Sequence, residues 1–411
     1  MILEEVEVSE SPLPIAGSGR RLSPAVGFAL AGGIIGLCLF ASATPSPLYA
    51  DYAARWHFST LVLTSIYGVY ALGVLVALLL VGRLSDEVGR RPVLLVTLVG
   101  LLASSVLFMA ASSVGWLFAA RGLQGLATGA ALGAAGAALL DLHPRGDAVR
   151  AGLVNGIAST VGIASGGLIS SILVQEVPDP RLIPYIVLAA LFVGALVGTV
   201  ALPEPVTRSA RPRLRPQRPH IPAGMGGSFL LASLGVISSW SVGGLYLSLA
   251  PSLADQLLRT HNHLAGGAVI FALAGSAALA QLAFHRLQPR TAMGGGSLLL
   301  AAGMAATAAS LSVPSSALFF VASVITGAGF GVAFMGAVRL VSVEAPPEHR
   351  GAVMSAFYIV AYLSLSVPAL IAGLVAPSLG LEPTFRDFAF VVVALALVTA
   401  AGTRYRQREQ A

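Results

Sequence analysis

Gly82-Arg83-Leu84-Ser85-Asp86-Glu87-Val88-Gly89-Arg90-Arg91-Pro92 sets five charged residues and two glycines between two long apolar runs. A hydrocarbon core of ~30 Å takes roughly 20 apolar residues of helix, and the runs near residues 72 and 102 reach that length. Outward from the loop such runs recur, twelve in all, centred near residues 36, 72, 102, 129, 162, 193, 238, 275, 302, 329, 363 and 395. Lipid offers no partner to a bare backbone, so spans this long fold as helices. The chain therefore reads as an all-α, polytopic membrane protein. Charge packed so densely at one membrane face suggests a gate rather than a core.

Composition narrows the function. Of 411 residues, 56% are hydrophobic and only 10% charged, against about 25% charged in a soluble domain. All 24 basic residues are arginine. Without lysine there is no Walker A loop for ATP hydrolysis and no Schiff-base chemistry. Cys38 is the single cysteine, which rules out a disulfide framework or a cysteine metal site. No GxSxG, HExxH or phosphate-loop motif is present, so neither catalysis, a cofactor nor a metal is expected.

The arginines also orient the chain. With the amino tail inside, the even-numbered connections and both tails hold 18 of them, whereas the odd connections hold Arg55, Arg181, Arg259 and Arg386. The positive-inside rule then puts both termini in the cytoplasm of a cell whose inner (plasma) membrane holds the protein. The net charge of +6 reflects that topology, not nucleic-acid binding, because the arginines are scattered over separate loops. Met1 to Ser23 opens on Glu4, Glu5, Glu7 and Glu10, unlike the basic start of a signal peptide; a cytoplasmic tail is expected.

Residues 203 to 222 form the one long polar break, with six prolines and five arginines. It cannot be a buried helix and divides the spans six and six. The expected organisation is a tail (1–24), a first bundle (25–203), a basic proline-rich cytoplasmic linker (204–224), a second bundle (225–404) and a tail (405–411). Short matches recur in order in both halves. Pro47-Leu48-Tyr49-Ala50-Asp51 parallels Pro251-Ser252-Leu253-Ala254-Asp255, Asp141 parallels Glu344, and Arg150 parallels Arg350. Such parallel repeats are a transporter architecture.

The loop that begins at Gly82 resembles the signature between spans 2 and 3 of the major facilitator superfamily, with Gly82, Asp86, Gly89, Arg90 and Arg91 at its principal positions. The resemblance implies twelve helices in two six-helix bundles around a cavity that opens alternately to each side. It also implies an inner gate, in which Asp86 and Arg90 hold spans 2, 4 and 11 together with Asp141, Glu344 and Arg350. The second-half counterpart, His285 to Arg290, has lost the acid, so gate control is expected to lean on the first half. Arg121-Gly122-Leu123-Gln124-Gly125 resembles a second motif of the superfamily, at a depth where an arginine is costly. Gly162 to Gly167 resembles the motif of its proton-coupled exporters, with Ile163 where that motif has proline.

Cavity-lining spans in this superfamily offer Tyr67, Tyr70, Gln124, Asn155, Trp240, Tyr246, Gln281, Arg339, Tyr358 and Tyr362 for a substrate. No acid lies in the middle of a span; Asp51 and Asp255 sit at outer ends and Asp141 and Glu344 at inner ends. Asp51, placed near Arg121, is the expected proton carrier. The function that follows is proton-driven efflux of a small organic molecule by a monomer in the bilayer. The alternative is proton-coupled uptake of a sugar, organic acid or similar metabolite. An arginine and amides without a cavity acid suit neutral or anionic solutes.

Overall fold

The computed structural model describes residues 21–81, 84–206, 218–258, 263–313, 315–346 and 348–410. Gly82, in the signature loop, lies outside them, as does most of the linker. Fifteen α-helices are formed among the described residues, with no strand. The first half holds α1 (Pro24–Ala43), α2 (Tyr49–Trp56), α3 (Thr60–Val81), α4 (Leu84–Val88), α5 (Arg90–Met109), α6 (Val114–Asp141), α7 (Ala148–Glu176) and α8 (Ile183–Val200). The second holds α9 (Gly226–Ser248), α10 (Ala250–Leu258), α11 (His263–Phe284), α12 (Pro289–Ser312), α13 (Ser316–Glu344), α14 (Arg350–Leu379) and α15 (Leu381–Gln410). Twelve segments are long and apolar enough to cross a membrane, α1 and α2 counting as one. The last helix continues past residue 404, where a tail was expected.

Local sequence sets the helix ends. Ser23 and Ser315 cap α1 and α13 by accepting from the N–H groups of Val26 and Leu318. Asp147 caps α7, accepting from Val149 and Arg150 at 3.0 Å each. The Arg150 N–H contributes most to holding the Asp147 carboxyl below its ordinary range. Pro24, Pro184 and Pro289 stand at helix starts, where their missing N–H costs nothing.

Lipid provides little drive for helices to associate, so close backbone approach matters. A Cβ on Gly129 would sit 2.5 Å from the Val74 carbonyl oxygen, and one on Gly125 would overlap that of Tyr70. Glycine there lets α6 lie directly on α3. Each half has its own core: Ile34, Phe108, Tyr185 and Phe192 in the first, and Met304, Phe319 and Phe385 in the second. A further cluster draws on both halves, with Tyr67, Tyr70 and Val74 against Ile270, Tyr362 and Leu365. The halves meet where α3 packs on α14 and α7 on α11.

Candidate transport and gating site

Arg90 is the hub of the signature loop. Only 8% exposed, it donates through Nε to Asp141 Oδ2 at 2.9 Å and through Nη1 to Ser85 Oγ at 2.8 Å and to Asp86. Asp141 brings in the end of α6, so one guanidinium ties together α4, α5 and α6. Asp86 is the more solvated acid, its side chain 57% exposed against 29% for Asp141.

Glu204, just beyond α8, completes this corner. Its Oε1 accepts from the Arg90 N–H at 2.9 Å and its Oε2 from the Arg91 N–H at 3.0 Å. It caps α5, whose own N-cap, Gly89, has no side chain to do so and whose first turn holds no acid. Gly89 has φ +106°, and a Cβ on it would lie 2.5 Å from Glu204 Oε2; glycine answers both constraints. Sequence alone missed Glu204. Its signal was an uncapped α5 and one acid between Pro203 and Pro205.

Among the described residues, every partner of the Arg90 guanidinium belongs to the first half, so the hub does not reach α14 in this conformation. Arg350 is exposed and makes no ion pair among the described residues. The second-half loop has lost its acid, as expected, yet that half keeps an arginine–acid pair. Arg290 at the start of α12 donates to Glu344 at the end of α13 at 2.8 Å, repeating the Arg90–Asp141 pair; what is missing is the counterpart of Asp86. Arg339 does not join Glu344. Its Nη1 donates to the carbonyls of His285 (2.7 Å) and Leu287 (3.3 Å) just past α11, as a basic residue does at a helix end.

Arg121 is fully buried, so it does not snorkel to headgroups. Its Nε donates to Tyr49 Oη at 2.6 Å, and its Nη1 to the Ser42 carbonyl at 2.9 Å and Gln124 Oε1 at 2.6 Å. Gln124 in turn donates to the Ala41 carbonyl at 3.1 Å. The rings of Tyr49, Tyr67 and Tyr70 lie 5.1–5.6 Å from the guanidinium. Tyrosine faces thus stand where a carboxylate would be expected around a buried cation. Asp51 is not part of this group, contrary to expectation: the Arg121 partner at this end of α1 is Tyr49. Asp51 Oδ1 lies instead 3.6 Å from His263 Nε2 of α11.

The remaining candidates divide. Tyr67, Tyr70, Tyr358, Tyr362 and Trp240 share the cluster between the halves, with Trp240 edge-on to Tyr362 at 5.0 Å. Gln281 of α11 reaches across to α7, its Oε1 2.8 Å from where a Cβ on Gly156 would be. Half-buried Asn155 sits on α7 beside Gly136 of α6. Tyr246 is elsewhere: it is buried in the second-half core, stacked with Phe319, and its hydroxyl pairs with Ser323 at 3.1 Å. Gln124 serves Arg121 rather than the interface.

Two halves that meet around an aromatic cluster, each with an arginine–acid pair at one end, fit a duplicated carrier. The sequence model for the Major Facilitator Superfamily matches residues 29–369. The chain belongs to the major facilitator superfamily. This superfamily member is 29% identical over 345 residues to the puromycin resistance protein of Streptomyces alboniger, covering 67% of this chain and 66% of that protein. It is also 29% identical over 214 residues to a triacylglyceride transporter of Mycolicibacterium hassiacum, covering 51% and 37%. The matches thus span less than two thirds of either relative. Among solved structures, a bacterial homolog of the human lysosomal transporter Spinster, inward-facing and occupied, superposes with TM-score 0.72 at 16% identity, covering 95% of this chain and 98% of that one. The human organic anion transporter MFSD10 gives 0.67 at 17%, covering 92% and 100%. At such identity the likeness is one of fold. The protein is a membrane transporter, not an enzyme.

Proposed function

We propose that this superfamily member exports a small organic molecule in exchange for protons, by alternating access, as a monomer in the inner (plasma) membrane. The observation that carries the reading is the aromatic cluster built from both halves, where one ligand would touch Tyr67 and Tyr70 on one side and Trp240, Tyr358 and Tyr362 on the other. Such a ligand senses the relative position of the halves, and only a differential interaction can bias such an equilibrium. Asn155 and Gln281 supply polar contacts. The buried charge of Arg121, with no acid in mid-span, favours neutral or anionic solutes over cations. Likeness to a puromycin resistance protein supports export.

By the distribution of arginines the Arg90 end is cytoplasmic, with both termini inside. The conformation is then closed at the outer end, where the Asp51–His263 contact crosses between halves. In the opposite conformation, Asp86 and Arg90 reach toward Arg350 and close the inner end. Gly82, Gly89, Arg91, Asp141 and Glu344 shape that gate, while Asp51 and Arg121 take part in coupling.

Cells with and without the protein, exposed to puromycin and to panels of neutral, anionic and cationic compounds, test the direction. Lower accumulation of at least one compound is expected. Higher accumulation would overturn export in favour of uptake of a sugar, organic acid or similar metabolite.

A further inference from the structure

The Asp51–His263 contact is the feature that expectation from sequence left out. His263 is the first residue of α11 in the second half, and Asp51 belongs to α2 in the first. The backbone N–H of His263 also donates to Gln175 Oε1, near the end of α7, at 3.2 Å. One residue of the second half is thus held by two elements of the first. Beneath it the halves are closely seated: a Cβ on Gly267 would overlap Ser171, and one on Gly373 would overlap Thr64. Among the described residues, the charged groups that act on Asp51 are His263 and Arg181, and Tyr52 adjoins it in sequence.

A helix amino terminus repels positive charge. At the start of α11 an imidazolium is therefore disfavoured unless an anion faces it, and the anion that faces it belongs to the other half. When the outer end opens, His263 loses Asp51 and keeps the helix dipole. When it closes, a proton on His263 is answered by Asp51 3.6 Å away. The closed state therefore binds the proton more tightly than the open one, and by linkage acid on that side favours closure.

We propose that Asp51 and His263 form a proton-operated latch that closes the outer end of the transport path, making His263 a positioning residue for the coupled cycle. This rests on the orientation and proton coupling proposed above. The latch gives the step from outward-open to outward-closed its proton dependence. A partly exposed pair is worth up to about a five-fold shift in the closed-to-open ratio.

The test uses the full chain in liposomes with Cys38→Ser and Thr64→Cys. Thr64 is fully buried under Gly373 and reacts with an impermeant maleimide only when the outer end opens. Thiol chemistry itself varies with pH, so rates are taken relative to the same cysteine in a His263→Gln background. The expected ratio falls about five-fold as external pH drops from about 8 to about 5. The exchange Asp51→His with His263→Asp is expected to restore the fall. A ratio flat across pH overturns the latch, and a swapped pair that stays flat overturns the pairing. Substrate flux in the same vesicles separates the two claims: a pH-dependent ratio with flux indifferent to a pH gradient leaves the latch standing and removes the coupling.

Discussion

Asp141, rather than the signature acid Asp86, is expected to dominate the Arg90 corner. Both carboxylates accept from Arg90, but Asp141 holds its Nε at 2.9 Å with a side chain 29% exposed, while that of Asp86 is 57% exposed. A hydrogen bond between charged groups contributes about 1.5–3 kcal/mol when shielded. Asp141→Ala leaves Arg90 with Asp86 and Ser85, so the buried charge keeps a partner and the low end, about 1.5 kcal/mol, applies. Asp86→Ala removes a solvated pair worth about 0.5 kcal/mol. These correspond to roughly ten-fold and two-fold increases in local opening. Hydrogen exchange of a peptide spanning Leu84 to Arg91 reads that opening directly. Asp141→Ala should speed exchange there about ten-fold and Asp86→Ala about two-fold. An Asp86 effect equal to or larger than that of Asp141 would refute the ranking by burial.

Glu204→Ala strips the cap from α5 and should cost about 1–2 kcal/mol, seen as faster exchange of the Arg90 and Arg91 amides; unchanged protection would contradict the capping role. Gly125→Ala forces a methyl onto the Tyr70 carbonyl and should destabilise the purified protein by about 1–3 kcal/mol. Gly133→Ala, with nothing within 4 Å, should be neutral or slightly stabilising in the same detergent melt; equal effects would show that the α3–α6 contact is not close. Arg121→Lys keeps a charge but cannot fork to Tyr49, Ser42 and Gln124 together. A loss of about 2–3 kcal/mol in melting is expected, and wild-type stability would show the network to be dispensable.

The spans were legible because lipid forces every buried backbone into helix and every helix to a minimum length. The duplication was legible too, since Asp141 and Glu344 fall at matching helix ends, and both prove to pair with the arginine that opens the preceding helix. Contacts set by tertiary approach were not legible. Glu204 lies 114 residues from the amide it caps, and no local pattern joins them. Tyr246 was expected to face the cavity because its span lines the cavity in the superfamily; the partner that turns it into the core, Ser323, sits 77 residues away inside the same half. Arg121 was recognisable as costly, yet the tyrosines that solvate it come from two other helices, Tyr49 from α2 and Tyr67 and Tyr70 from α3. Asp51 was paired with Arg121 by its position at the same end of the bundle, whereas the structure gives that place to Tyr49.

Coupling is the central claim, and proton movement in liposomes tests it most directly. Purified protein is reconstituted with a pH indicator inside, and the compound whose accumulation falls in expressing cells is added under a pH gradient. Protons should cross only while that compound is present and should stop when it is exhausted. Proton conductance without the compound, or compound flux without proton movement, would contradict the account.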